Sequence, residues 1–270
     1  MEVAGYLLAA LVGVSLGLIG GGGSILTVPI LVYVMGLNPV LATSYSLFIV
    51  GATSLVGAVD NYRKGFVNIK TALLFGLFSI STVFLTRKFI IPVIPAVFFP
   101  SSHFHISHEM ATMILFAILM LAASFAMIKN AKENIPEHKI VKQEINLTKL
   151  VVYGILIGLV TGLLGAGGGF LLIPVLVLIL KMPMKQAIGT SLLIIALNSL
   201  IGFTGDIGHF IINWKFLLSI SVVAIAGIFI GGTLSKKINP NKLKKAFGWF
   251  VLVMGIYIII HEVLISNPFH

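Results

Sequence analysis

Peptide amides left without helical partners, inside apolar sequence, are the groups in this chain best suited to chemistry. Gly17-Leu18-Ile19-Gly20-Gly21-Gly22-Gly23-Ser24, running on to Pro29, returns 145 residues later as Gly162-Leu163-Leu164-Gly165-Ala166-Gly167-Gly168-Gly169, running on to Pro174. Seven of the 13 aligned positions are identical. Glycine weakens a helix by about 1 kcal/mol per residue relative to alanine, so each cluster predicts an interruption. An arm restarting at Gly23 or Gly168 begins with free N–H groups and the positive end of a helix dipole. Without Cβ atoms, the backbone of Gly20, Gly21, Gly22, Gly23, Gly165, Gly167, Gly168 and Gly169 can approach a small anion closely. Ser24, Thr43, Ser44, Thr190 and Ser191 add hydroxyls, and Asn198 adds an amide. Packing alone is the competing reading of such clusters, and it suits Gly13-xxx-Gly17 and Gly154-xxx-Gly158 just upstream.

The elements that must carry these groups are membrane helices. Apolar residues make up 58% of the 270, charged residues 10%, and the mean hydropathy is +1.11, against about 25% charged residues in a soluble domain. The formal charge of +10 sits at span ends, which fits anionic lipid headgroups and argues against nucleic acid. With no cysteine, thiolate metal sites and disulfides are excluded. The first apolar run follows Met1-Glu2 without a basic segment, which argues against a cleaved signal peptide.

Apolar runs fall at about 3–19, 24–36, 40–58, 69–86, 109–128, 150–164, 169–180, 186–204, 216–235 and 246–264. Segments 24–36 and 169–180 reach only ~20 Å as helix, short of a ~30 Å hydrocarbon layer. Each glycine-broken pair therefore reads as a hairpin whose apex lies within the membrane, its second arm loosened by Pro29 or Pro174. If each pair enters and leaves on one side and three full spans follow, 15 of the 18 Lys and Arg residues face the cytoplasm. Arg87, Lys88 and Lys215 are the other three. If each pair crosses once, the division becomes nine and nine, so the positive-inside rule selects the first arrangement.

The expected fold is thus an all-α polytopic membrane protein of two inverted-topology repeats, each a glycine-broken hairpin plus three full transmembrane helices. The first repeat is 1–128, the second 150–270, and the five lysines and three glutamates of 129–149 form a cytoplasmic linker. Both termini are expected outside, in a bacterial inner membrane. The repeat extends to Thr43-Ser44 with Thr190-Ser191, and to Asn68-X-Lys70 with Asn213-X-Lys215.

No charged residue lies deep in any of these runs, so anion affinity would rest on neutral donors and dipoles. Asp60 and Asp206, near span ends, are the candidates for ion coupling. His103, His105 and His108 read as a solvated interfacial cluster rather than a metal site, and no cofactor is called for. Gly22-Gly23-Ser24 has no intramembrane histidine to act as base, which argues against a serine hydrolase.

On the duplicated passages Gly17–Pro29 and Gly162–Pro174, with Thr43-Ser44 and Gly189-Thr190-Ser191, the sequence resembles the TauE/SafE family of membrane permeases. The resemblance covers the chain apart from 129–149 and the segment 90–108, which holds Pro92, Pro95 and Pro100 and reads as an irregular external loop. It implies export of sulfite or related organosulfonates, with the glycine passages and the Thr-Ser pairs carried over as the candidate substrate site. The first passage has four glycines then serine, while the second contains alanine, so the two half-sites are not equivalent. A gated passive anion channel and a non-transporting membrane scaffold are the alternative readings.

Overall fold

A computed structural model of the chain describes residues 2–94, 108–129, 147–180, 182–209, 211–234 and 240–265. The described residues are almost wholly helical, with ten helical segments in sequence. They are α1 (Glu2–Ile19), α2 (Gly23–Val34), α3 (Pro39–Arg63), α4 (Ile69–Val93), α5 (His108–Lys129), α6 (Leu147–Leu164), α7 (Gly169–Pro174, prolonged by a π turn to Ile179), α8 (Met184–Asp206), α9 (Trp214–Leu234) and α10 (Pro240–Ile260). By length and composition α3, α4, α8 and α9 can each cross a bilayer. The shorter apolar helices include both arms of the first glycine-broken pair and the first arm, α6, of the second. His103, His105 and nearly all of the 129–149 linker lie outside the described residues.

The same local chemistry shapes both halves. Pro29 and Pro174 are each followed by a π turn, Ile30–Val34 and Val175–Ile179, because proline withholds the N–H that would continue an α-helical ladder. The chain loosens there and stays helical. It ends alike as well: Leu37 donates to the Leu31 carbonyl and Met182 to the Leu176 carbonyl, at 3.0 and 2.9 Å. Asn68 Oδ1 caps α4 by accepting from the Thr71 amide, and Asn213 Oδ1 caps α9 by accepting from the Phe216 amide.

Packing interleaves the halves. α1 lies along α9, α6 along α4, α3 against α8, and α5 against α10, while α4 also meets α8 and α3 meets α9. Exchanging α1–α5 for α6–α10 returns the same set of pairings. Small residues set the closest contacts, as Gly13 and Gly17 rest on the α9 backbone at Ala224 and Ile228, and Gly158 on that of α4 at Ser79. Lipid supplies no hydrophobic drive between helices, so such close approach carries much of the association. The upstream glycines are packing residues.

A side chain at Gly158 would stand 2.6 Å from the Ser79 carbonyl and prise α6 from α4. Gly158→Val is expected to lower stability by about 1–3 kcal/mol, or more if the helices separate. Thermal unfolding of the detergent-solubilised protein checks this, with Gly232→Ala, which meets nothing within 4 Å, as the neutral control.

Candidate functional site

The two interruptions touch. A Cβ built on Gly21 would overlap the backbone of Gly169, and one built on Gly169 would overlap Gly21 in turn. Contact this close is open only to paired glycines. Gly20, Gly21, Gly23, Ser24, Gly165, Gly167, Gly168 and Gly169 are all buried. Of the sequence-predicted glycines, Gly21 and Gly169 make the backbone junction, while Gly165 lies against Thr43 and Gly167 against Val50, Ile195 and Ser199.

The two sides of that junction are built differently. On the first side, Gly20 (φ 75°) leads into a three-ten turn, Gly21–Leu26, which includes Gly22. Ser24 Oγ ties this turn by donating to the Gly21 carbonyl at 2.8 Å. On the second side Gly165, Gly167 and Gly168 all take φ near +67°, a left-handed region that other residues enter only with strain. Gly165 N–H bonds the Thr161 carbonyl, and the amides of Leu171 and Leu172 converge on the Gly168 carbonyl. Among the described residues, no backbone hydrogen bond is recorded for the amides of Ala166, Gly167 or Gly168.

The polar side chains expected around the glycines are buried, but most have given away their protons. Thr43 Oγ1 donates to the Val40 carbonyl and Ser191 Oγ to the Ile188 carbonyl, at 2.7 and 2.9 Å. Thr190 Oγ1 accepts from the Asn68 amide. Asn198 Nδ2 donates to Ser79 Oγ at 2.5 Å, leaving its Oδ1 without a partner. Ser44 lies close to the Asp206 carboxylate without a hydrogen bond of ordinary geometry. Asp60 stands apart, in a half-exposed ion pair with Lys64 one turn along α3.

The expectation that charge is absent from the interior is corrected here. Arg87 is 0% exposed and Asp206 1%. The Arg87 guanidinium donates through Nη1 to Asp206 Oδ2 at 3.2 Å and to Thr43 Oγ1 at 3.1 Å. Its Nε and Nη2 have no hydrogen-bond partner. Two glycines make room for it: a Cβ on Gly205 would meet Arg87 Cβ at 3.0 Å, and one on Gly165 would meet Nη2 at 2.6 Å. The basic pair Arg87-Lys88 reads as the end of a span, whereas α4 continues through a π turn, Thr86–Ile90, into Ile91–Val93. The turn sends Arg87 inward and leaves Lys88 exposed over the Phe84 and Phe89 rings. The apolar run Phe89-Ile90-Ile91 beyond the charges was the available sequence signal.

At the other end of the fold lies a cavity of about 270 Å³, lined by Gly17, Asp60, Asn61, Lys64, Gly232 and Thr233 among others. Gly232 is the residue 145 positions after Arg87, and Gly17 is the counterpart of Gly162. Where one half fills this place with a guanidinium, the other leaves it open.

Apolar helices, two pairs of them broken at a shared glycine junction beside a buried ion pair, fit the class of helical membrane transporters. The chain belongs to the family described as sulfite exporter TauE/SafE, whose profile matches residues 6–258. A relative from Xylella fastidiosa (strain 9a5c), named a "probable membrane transporter protein", is 32% identical over 254 residues, covering 92% of this chain and 91% of the relative. The Bacillus subtilis (strain 168) protein YjnA, also named a "probable membrane transporter protein", is 25% identical over 268 residues, covering 96% and 100%. A Methanocaldococcus jannaschii protein with the same designation is 34% identical over 117 residues, covering 41% and 44%. No solved structure matches the chain.

Removing one member of a buried ion pair strands the other, at a cost of about 3–5 kcal/mol. Asp206→Asn and Arg87→Met are each expected to lower stability by such an amount. The double variant Arg87→Met/Asp206→Leu should recover most of it, as thermal unfolding in detergent will register.

Proposed function

We propose that this TauE/SafE transporter moves small sulfur-containing oxyanions, sulfite or organosulfonates, outward across the plasma membrane. The observation that carries the reading is the backbone junction of Gly21 with Gly169, where two interrupted helices from separate halves meet. In membrane proteins, irregular backbone persists only where protein or a wet cavity satisfies it, and paired interruptions are where transporters of repeated architecture hold their cargo. The substrate site comprises the apical glycines within a polar surround of Ser24, Thr43, Ser44, Thr190, Ser191 and Asn198, with Asp60 and Asp206 as candidates for coupling.

The halves form inverted repeats, with both termini outside and the 129–149 linker in the cytoplasm. Under this topology the cavity beside Asp60 and Lys64 opens inward, and the matching outward place is filled by Arg87. That asymmetry supports alternating access, with the two faces exposing one central site in turn. An inside-negative potential favours outward movement of an anion by about 2.3 kcal/mol per charge per 100 mV, a drive that any coupling through Asp60 or Asp206 would add to.

Proteoliposomes holding the full chain, loaded with labelled sulfite under an imposed potential, test this. Saturable flux is expected, with acceleration by counterflow and competition from sulfate, thiosulfate or sulfoacetate. Linear conductance would instead make the protein a passive channel, and no anion movement would make it a scaffold. Gly167→Ala should reduce flux severely, since its Cβ would crowd Val50, Ile195 and Ser199 at 2.8–3.0 Å. Gly36→Ala, with a similar positive φ but nothing within 4 Å, controls for backbone strain alone. Ser24→Ala frees the Gly21 carbonyl and should weaken apparent affinity by about 1 kcal/mol.

A further inference from the structure

We propose that Arg87 is the cation that binds the transported oxyanion, and that Asp206 is the built-in anion that holds Arg87 between cycles. The inference rests on the anion-transport reading above and gives its site a charged centre. Arg87 is the one fully buried cation among the described residues. A guanidinium whose role is only structural is expected to satisfy its N–H groups, because each one buried without a partner is costly. Here only Nη1 is engaged. The unpartnered Nε and Nη2 form the side-on edge of the guanidinium, the edge that grips two oxygens of one carboxylate, phosphate or sulfur oxyanion.

That edge is placed at the glycine junction. Nη2 lies where a side chain on Gly165 would stand, four residues before Gly169 meets Gly21. The amides of Ala166, Gly167 and Gly168 are in the same turn. The hydroxyls of Ser24, Thr43 and Ser191 already donate to backbone carbonyls, so they have no proton to offer an anion. Arg87, the turn amides and the unpartnered hydroxyls of Ser44, Thr161 and Ser199 are the donors that remain, and Arg87 alone among them carries charge. Thr43 accepts from Arg87 and orients Nη1, which makes it a positioning residue rather than an anion contact.

Asp206 explains how such a cation is tolerated when no substrate is present. Its carboxylate neutralises Arg87 through a single contact of 3.2 Å rather than a two-pronged one, leaving the fork unoccupied. An incoming oxyanion then competes with one carboxylate oxygen for the guanidinium charge and gains the unengaged edge as well. The other half has glycine at the corresponding position 232, beside the open cavity. Charged recognition is therefore confined to the Gly165–Gly169 side of the junction, and the ligand class is an anion presenting two coplanar oxygens.

The test uses the full chain in detergent, titrated calorimetrically with sulfite, sulfate and the uncharged dimethyl sulfone, together with proteoliposome flux. Wild type is expected to bind the two oxyanions and not the sulfone. Arg87→Lys, which keeps charge but loses the fork, should weaken sulfite at least tenfold. Asp206→Asn, which removes the competing carboxylate, should tighten sulfite at least tenfold. The double variant Arg87→Met/Asp206→Leu strands no charge, and it should fold yet bind and move no oxyanion. Wild-type sulfite affinity and flux in that double variant would overturn the role of Arg87 and leave the transport reading standing. Unchanged or weaker sulfite binding in Asp206→Asn would overturn the role of Asp206 as competitor. A wild-type protein that neither binds nor moves any oxyanion would overturn this proposal and the substrate class together.

Discussion

The absence of Cβ atoms at a few backbone crossings is the constraint on which the rest of this architecture depends. Helices in lipid gain nothing from hiding apolar side chains from one another, since the surrounding tails are equally apolar. What holds them is dispersion at short range, and that requires small residues along the seam. Gly13 and Gly17 supply it for α1 on α9, and Gly158 and Gly162 for α6 on α4. These seams carry the chain to Gly21 and Gly169, where the same device brings two irregular segments into backbone contact.

Sequence duplication is expressed in detail on this scaffold, down to the π turn after each proline and the asparagine cap of α4 and α9. Departures from it are confined to a few places. One junction arm is a three-ten turn and the other a left-handed glycine turn. One half places Arg87 against Asp206, and the other places Gly232 beside a void near Asp60. A repeated frame with unequal contents lets the two faces of the protein differ in accessibility while sharing one design.

Much of the frame was legible in the residues. The glycine passages, their proline-bearing second arms and the repeated Asn-X-Lys corner all marked elements that the fold contains, because they act through local backbone chemistry. The interior charge was not legible in the same way. Span reading ends a helix at the first basic residues, and Arg87-Lys88 looked like such an end. Only the π turn at Thr86–Ile90, a tertiary accommodation beside Gly165 and Gly205, turns one of the two inward. Hydroxyl direction was equally hidden: Thr43 and Ser191 read as donors to a ligand, yet each sends its proton back to its own helix.

The cross-half hydrogen bonds bear on what kind of object each repeat is. The Asn68 amide is held by Thr190 of the second half, and the Asn213 amide by the Tyr45 hydroxyl of the first, at 2.9 and 2.7 Å. Together with α1 lying on α9 and α6 on α4, these bonds make the halves mutual clasps, neither of which closes its own seams. The connector between them is then a tether of convenience, and the same assembly is within reach of two separate polypeptides synthesised side by side. Rigid bodies in such a clasp must each draw helices from both halves of the gene product.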